Sequence, residues 1–256
     1  MDFTLTTYER LLKILQTEKY PFQTFESFTT SPLERVVILR HDVDRLPTVA
    51  LKMAKLEHEL GVTASYYFRA VPASWDEEVM TQVVSLGHEL GYHYEDLALF
   101  RGDQKKAIRH FKSQLDRMRR IYPVKTICMH GSPLSRHDNR DLWNFYDYRD
   151  FGITGDPYFD TDFNDVFYLT DTGRSWNNKS ASLRDKVDST SNIHIRDTYH
   201  LIELANEDIL PPRMMITVHP QRWHDKKWPW IKELVGQQIK NIVKGFLVKK
   251  SLKKHC

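Results

Sequence analysis

Val36-Val37-Ile38-Leu39, followed without a break by Arg40-His41-Asp42-Val43-Asp44, is the stretch on which the reading of this chain turns. Four consecutive apolar residues, three of them β-branched, suit a strand covered on both faces, as strands of a parallel sheet are. Asp42 and Asp44, two apart on an extended chain, point to the same side at its end. Pro47 then opens a helix where its missing N–H costs nothing, and Gly61 stands where that helix would close. Asp44 has a plainer role available, as a cap on that helix three residues before Pro47.

Outward from this stretch the strand-then-helix unit repeats. Residues 64–69 read as a strand, 76–86 as a helix, 89–95 as a strand, 103–121 as a long charged helix and 125–130 as a strand. Residues 131–190 are less regular, with aromatic-rich pieces at 151–154 and 166–169. The pattern returns in a strand over 214–218. A helix over residues 3–20 precedes the unit, with Leu11, Leu12 and Leu15 on one face, and a basic helix over about 230–252 follows it. Alternation of this kind implies parallel strands joined by right-handed crossovers. The glycines and prolines fall singly, so the expectation is one continuous domain over residues 1–256.

The residues with chemical potential track the strands: Asp42 and Asp44 with the first, His93 and Glu95 with the third, His130 with the fourth and His219 with the last. In a parallel barrel the C-terminal strand ends open on one face, where the sites of barrel enzymes lie. Carboxylates and imidazoles without cysteine suit a divalent ion, most readily zinc, with an open coordination position. A carboxylate beside the ion could take a proton from water, and a histidine opposite could give one to a leaving amine. Any one of the 12 histidines is more often structural than a ligand; the grouping is what argues for chemistry.

Arg40-His41-Asp42-Val43-Asp44 and Gly87-His88-Glu89-Leu90-Gly91-Tyr92-His93 resemble the first two signatures of the polysaccharide deacetylase superfamily, the family 4 carbohydrate esterases. Thr217-Val218-His219-Pro220 is similar to its last signature. The resemblance implies a deformed β/α barrel of fewer than eight parallel strands, Asp42 as catalytic base, Asp44 and His93 as metal ligands, and His219 as general acid. Three features depart from the pattern. Leu97 stands where a second histidine is usual, Val43 separates the two aspartates, and Met129-His130-Gly131-Ser132-Pro133 replaces an arginine-proline loop. His130 is the expected third ligand, with Glu95 its competitor for that place and otherwise expected near the substrate. The backbone at Gly131 and Ser132 is expected to supply donors to a developing oxyanion.

The stretch Asp171-Thr172-Gly173-Arg174-Ser175-Trp176 offers a guanidinium and an indole, and Arg174 and Trp176 are expected to meet a sugar and a nearby anion. A net charge of +3, with its excess in the last lysine-rich stretch, argues against a nucleic-acid binder. That stretch reads as a packing helix with a solvated face or as a surface resting on an anionic membrane. Two cysteines and no long apolar run point to a reducing compartment, so a cytoplasmic location is expected. The expected substrate is an N-acylated amino sugar or sugar precursor. A deformylase acting on another small amide and a non-catalytic carbohydrate-binding pseudoenzyme are the alternatives.

Overall fold

Strand β2 (Val36–Val43) holds the middle of the sheet and runs longer than its apolar core, so Asp42 lies inside the ladder, opposite Tyr67, and Asp44 just beyond it. The computed structural model describes residues 1–132, 135–176 and 193–238. Within them the strands are β1 (Phe22–Gln23), β2, β3 (Ser65–Phe68), β4 (Glu89–Tyr94), β5 (Ile127–Met129), β6 (Phe167–Thr170) and β7 (Arg213–Val218). All pairs are parallel, in the order β5-β4-β3-β2-β7-β6, with β1 added beside the start of β2. The result is a curled sheet of seven strands that does not close among the described residues, the deformed barrel expected from the sequence.

Alternation along β2 divides the molecule into two layers. Val37, Leu39 and Val43 face outward into the main core with Leu11, Leu12 and Leu15 of helix α1 (Leu5–Thr17) and Met53 and Ala54 of helix α3 (Pro47–Glu59). Val36 and Ile38 face inward, with Phe25 and Phe28 of the short helix α2 (Phe25–Thr30), Tyr168 and Met215. Arg40 and Asp42 continue that inward row. Gly91 of β4 is required on the inner wall, because a Cβ there would lie 2.3 Å from the Tyr67 ring.

Capping follows the sequence. Asp76 and Asp103 accept the first backbone N–H groups of helices α4 (Glu77–Ser85) and α6 (Gln104–Met118). Helix α3 begins at Pro47 behind Leu46, with no side-chain cap, so Asp44 is not spent in that way. Gly61, at φ +69°, follows its end. Residues 151–154 form no strand; a 3₁₀ turn over Tyr148–Phe151 leads to Gly155, which makes one parallel bridge to Thr126. Helix α5 (Asp96–Leu99) follows β4, and helix α7 (Thr198–Asn206), capped by Asp197, precedes β7. The closing helix α8 spans 227–238, the last described residues, so residues 239–252 of the expected basic helix lie outside them. No described helix is long and apolar enough to cross a membrane.

Candidate metal centre and its acid–base partners

Asp44, His93 and His130 come from the ends of β2, β4 and β5 and meet at the barrel mouth. Asp44 Oδ1 lies 3.7 Å from His93 Nε2 and 3.3 Å from His130 Nε2. One donor atom from each of the three falls within 4.8 Å of the others. Each imidazole is oriented from behind. His93 Nδ1 donates to the Cys128 carbonyl at 2.9 Å, and His130 Nδ1 lies 3.0 Å from Glu95 Oε2. A proton on Nδ1 leaves the Nε2 lone pair aimed at the common space.

The electrostatics agree with that assignment. Burial depresses the His93 pKa to about 4 against the pull of Asp42, so the ring is neutral. Burial would raise Asp44, but the charge that His130, His219 and His93 carry when protonated, together with Arg69, lowers it to about 2. Its Oδ1 nevertheless has no hydrogen-bond partner although it is buried. An ionised, buried carboxylate oxygen facing two imidazole lone pairs is costly unless a cation sits among them. The donor set therefore fits a divalent ion.

Glu95 is engaged elsewhere. Its carboxylate takes Arg69 through Nε and Nη2 at 2.7–2.9 Å, and its remaining reach goes to His130. Burial opposes its ionisation, but His130 and then Arg69 lower its pKa to about 2. Ser132 Oγ joins the same group, 3.3 Å from Glu95 and 3.1 Å from His130 Nδ1, at a left-handed φ of +37°, and Gly131 carries the chain between them. Asn139 fastens the turn by donating to the His130 carbonyl at 2.8 Å. Leu97, in the place of the usual histidine, packs with Ala107 and Leu142 instead.

Asp42 stands on the inner wall below this site, 3.9 Å from His93 Nε2. Arg40, two residues earlier on the same strand, grips both its oxygens at 2.9 and 2.8 Å. Burial would raise the Asp42 pKa, yet Arg40 holds it well below the usual carboxylate range. The Cys128 thiol is also close: donor atoms of Asp42, His93 and Cys128 form a second group within 4.8 Å. Asp42 is already held twice by Arg40, whereas Asp44 offers an unmatched oxygen, so the Asp44 group is the better cation site.

His219, one residue past β7, is held by Asp171, which accepts from its Nδ1 at 2.6 Å and from its backbone N–H at 3.0 Å. Arg222 and the Trp223 indole donate to the same carboxylate at 2.6 and 2.7 Å. Burial works against ionisation of Asp171, but Arg222 and then His219 lower its pKa. His219 is thereby fixed with Nε2 free to face the mouth. Asp171 was legible only as part of a polar turn; its partner lies 48 residues away.

Two expected substrate residues have protein partners. Arg174 donates to the Arg222 carbonyl at 3.0 Å and lies over the Phe3 and Trp230 rings. Trp176 is buried, stacks on Phe3 and donates to Thr198 at 2.9 Å, which makes it core and not a sugar platform.

Neither a protein-family model nor a curated protein sequence matches the chain. Among solved structures it is similar to a family 4 carbohydrate esterase from Bacillus anthracis, at 12% identity and a TM-score of 0.44, over 91% of this chain and 86% of that one. It is also similar, at 12% identity, to a family 4 pseudoenzyme from Bacillus anthracis (TM-score 0.42, 84% of this chain and 63% of that one). A third is the peptidoglycan deacetylase PdaC from Bacillus subtilis (12% identity, TM-score 0.39, 86% and 98%). The chain is thus similar in structure to family 4 carbohydrate esterases, a deacetylase and a pseudoenzyme among them.

Proposed function

We propose that the chain is a metal-dependent amide hydrolase that removes an acyl group, acetyl in the first instance, from the nitrogen of an amino sugar or sugar precursor. The observation that supports this most is the unmatched Asp44 Oδ1 facing the Nε2 atoms of His93 and His130. Those three residues would hold the ion, and two imidazoles with one carboxylate favour zinc. When bound, such an ion polarises a carbonyl and acidifies water.

The rest belongs to the protein. Asp42, ionised throughout the working pH range, accepts the proton of the attacking water, and Arg40 keeps its carboxylate in one orientation. That same grip weakens Asp42 as a base, so it takes the proton only transiently. His219, steadied by Asp171, protonates the departing amine through Nε2. The sugar is the natural carrier of such an amide because the motifs around Asp42 and His93 resemble those of carbohydrate deacetylases.

The test is acetate release from a panel of N-acetylated amino sugars by freshly purified protein, after chelation, and after zinc is returned. Release that disappears with chelation and comes back with zinc supports the reading. Zinc-loaded protein that releases nothing from any N-acyl amino sugar, formyl derivatives included, overturns it in favour of a binding protein.

A further inference from the structure

Beside the cation site lies a cavity of about 210 Å³ walled by Asp44, Arg45, Arg69, Gln221, Arg222 and Glu233, the last from α8. Pockets that take a drug-sized molecule whole start at roughly 300 Å³, so this one has room for a single substituent of a ligand. Three arginines share that wall with the carboxylates of Asp44 and Glu233. Arg69 is spent on Glu95 and the Asp44 carbonyl. Among the described residues, however, Arg45 donates only through Nη2, to Glu233, and Arg222 only through Nη1, to Asp171. Nε and the second Nη of both are left over. Two guanidinium edges at one small cavity match the paired oxygens of a carboxylate or phosphate.

A second feature adjoins the cavity, at Gln221 of its wall. Gln221 is buried and donates to Asp44 Oδ2 at 3.0 Å, yet its Oε1 has no partner. A buried acceptor of this kind lacks the donor that a bound molecule would bring, such as a hydroxyl or amide N–H. The guanidinium groups at the cavity are what call for an anionic group, and Gln221 supplies a polar wall next to Asp44.

We infer that this cavity is an oxyanion-binding subsite and that the substrate is a small N-acylated amino sugar bearing a phosphate or carboxylate, not an uncharged polysaccharide. The inference rests on the hydrolase reading only for the word substrate; the binding itself needs no catalysis. Glu233 opposes the anion and holds Arg45, which sets the sign of two substitutions in opposite directions.

The experiment is calorimetric titration of chelator-treated protein, so that no metal can attract the anion. N-acetylglucosamine, its 1-phosphate and N-acetylmuramic acid serve as neutral, phosphate and carboxylate arms. At least one anionic sugar is expected to bind about tenfold tighter than the neutral one, and which arm does so identifies the group. Arg45→Ala removes most of that preference, Arg45→Lys keeps part of it, and Glu233→Gln increases it. Equal binding of all three sugars, or a preference indifferent to Arg45→Ala, overturns the subsite. A preference that persists in protein that hydrolyses nothing sinks the hydrolase reading and leaves the subsite standing.

Discussion

Strand β2 presents two polar clusters, one on each face, and they differ in one respect. On the outer face Glu57, wholly buried, accepts from Tyr8 at 2.6 Å, Tyr66 at 2.7 Å and His41 Nε2 at 2.7 Å. His88 nearby has both nitrogens engaged, one facing the Ala54 carbonyl at 2.9 Å and the other the Ala64 N–H at 3.3 Å. The one orphan is His41 Nδ1. On the inner face the orphan is a carboxylate oxygen, Asp44 Oδ1, and two imidazole lone pairs face it. A buried ionised oxygen without a partner is the costlier kind of orphan. The outer cluster joins α1 and α3 to the sheet, whereas the inner one leaves a carboxylate oxygen for which a cation is the proposed partner.

The contrast can be broken most decisively with histidines. His219→Ala is expected to lower kcat by on the order of 10³-fold while metal content stays that of the native protein. Equal metal content and undiminished acetate release would remove His219 from the chemistry. A stability comparison comes next. Glu57→Gln strands His41, Tyr8 and Tyr66 and should cost about 3–5 kcal/mol, a Tm drop of roughly 10 °C. Asp44→Asn, measured without metal, should leave Tm unchanged or raise it, because an unmatched buried charge is lost. Thermal unfolding of the two variants side by side decides whether the clusters differ as argued; equal losses would say that they do not.

The pH dependence follows the same division. The folded pKa of His93, about 4, lies below its ordinary value of 6.5, so the unfolded chain binds a proton that the folded one refuses. Stability contributed above pH 6.5 is therefore lost as pH falls through 4. Denaturant titration of metal-free protein should show a loss of about 3 kcal/mol across that window, reduced in His93→Gln. An unchanged loss in the variant would place the proton elsewhere. The smallest effect expected is that of Glu95→Gln, which touches the ion only through His130 and should weaken zinc affinity about 10–100-fold. Competition with a chelator of known affinity reads it, and an unaltered affinity would deny Glu95 its orienting role.

The legible parts of the fold were those in which burial leaves a pattern. Val36–Leu39 and Met214–Val218 are apolar runs because both faces of those strands are covered, and they were placed within a few residues of their bounds. Strand β1 and helix α2 are too short to show a period. Helix α7 has nine residues, and its cap, Asp197, lies among other polar residues. The site divides in the same way. Strand-end logic reached Asp44, His93, His130 and His219 because sheet order brings strand ends together whatever the loops do. It did not reach Asp171, because the stretch over 166–169 shows too little pattern to read as a strand; Asp171 stands one residue past β6, and the register Thr170 opposite Thr217 brings it beside His219. Nor did it reach Asn139, whose only signal is a polar residue in an irregular stretch. Arg174 and Trp176 misled because a guanidinium and an indole in a turn look available, while the packing of Phe3 against them is invisible in sequence.

The central claim is that Asp44, His93 and His130 hold one divalent ion, and elemental analysis of freshly purified protein measures it directly. The native protein is predicted to carry about one zinc per chain, with Asp44→Ala and His93→Ala each carrying essentially none. Native protein without a divalent ion even after exposure to zinc, or variants that retain it in full, would contradict the account.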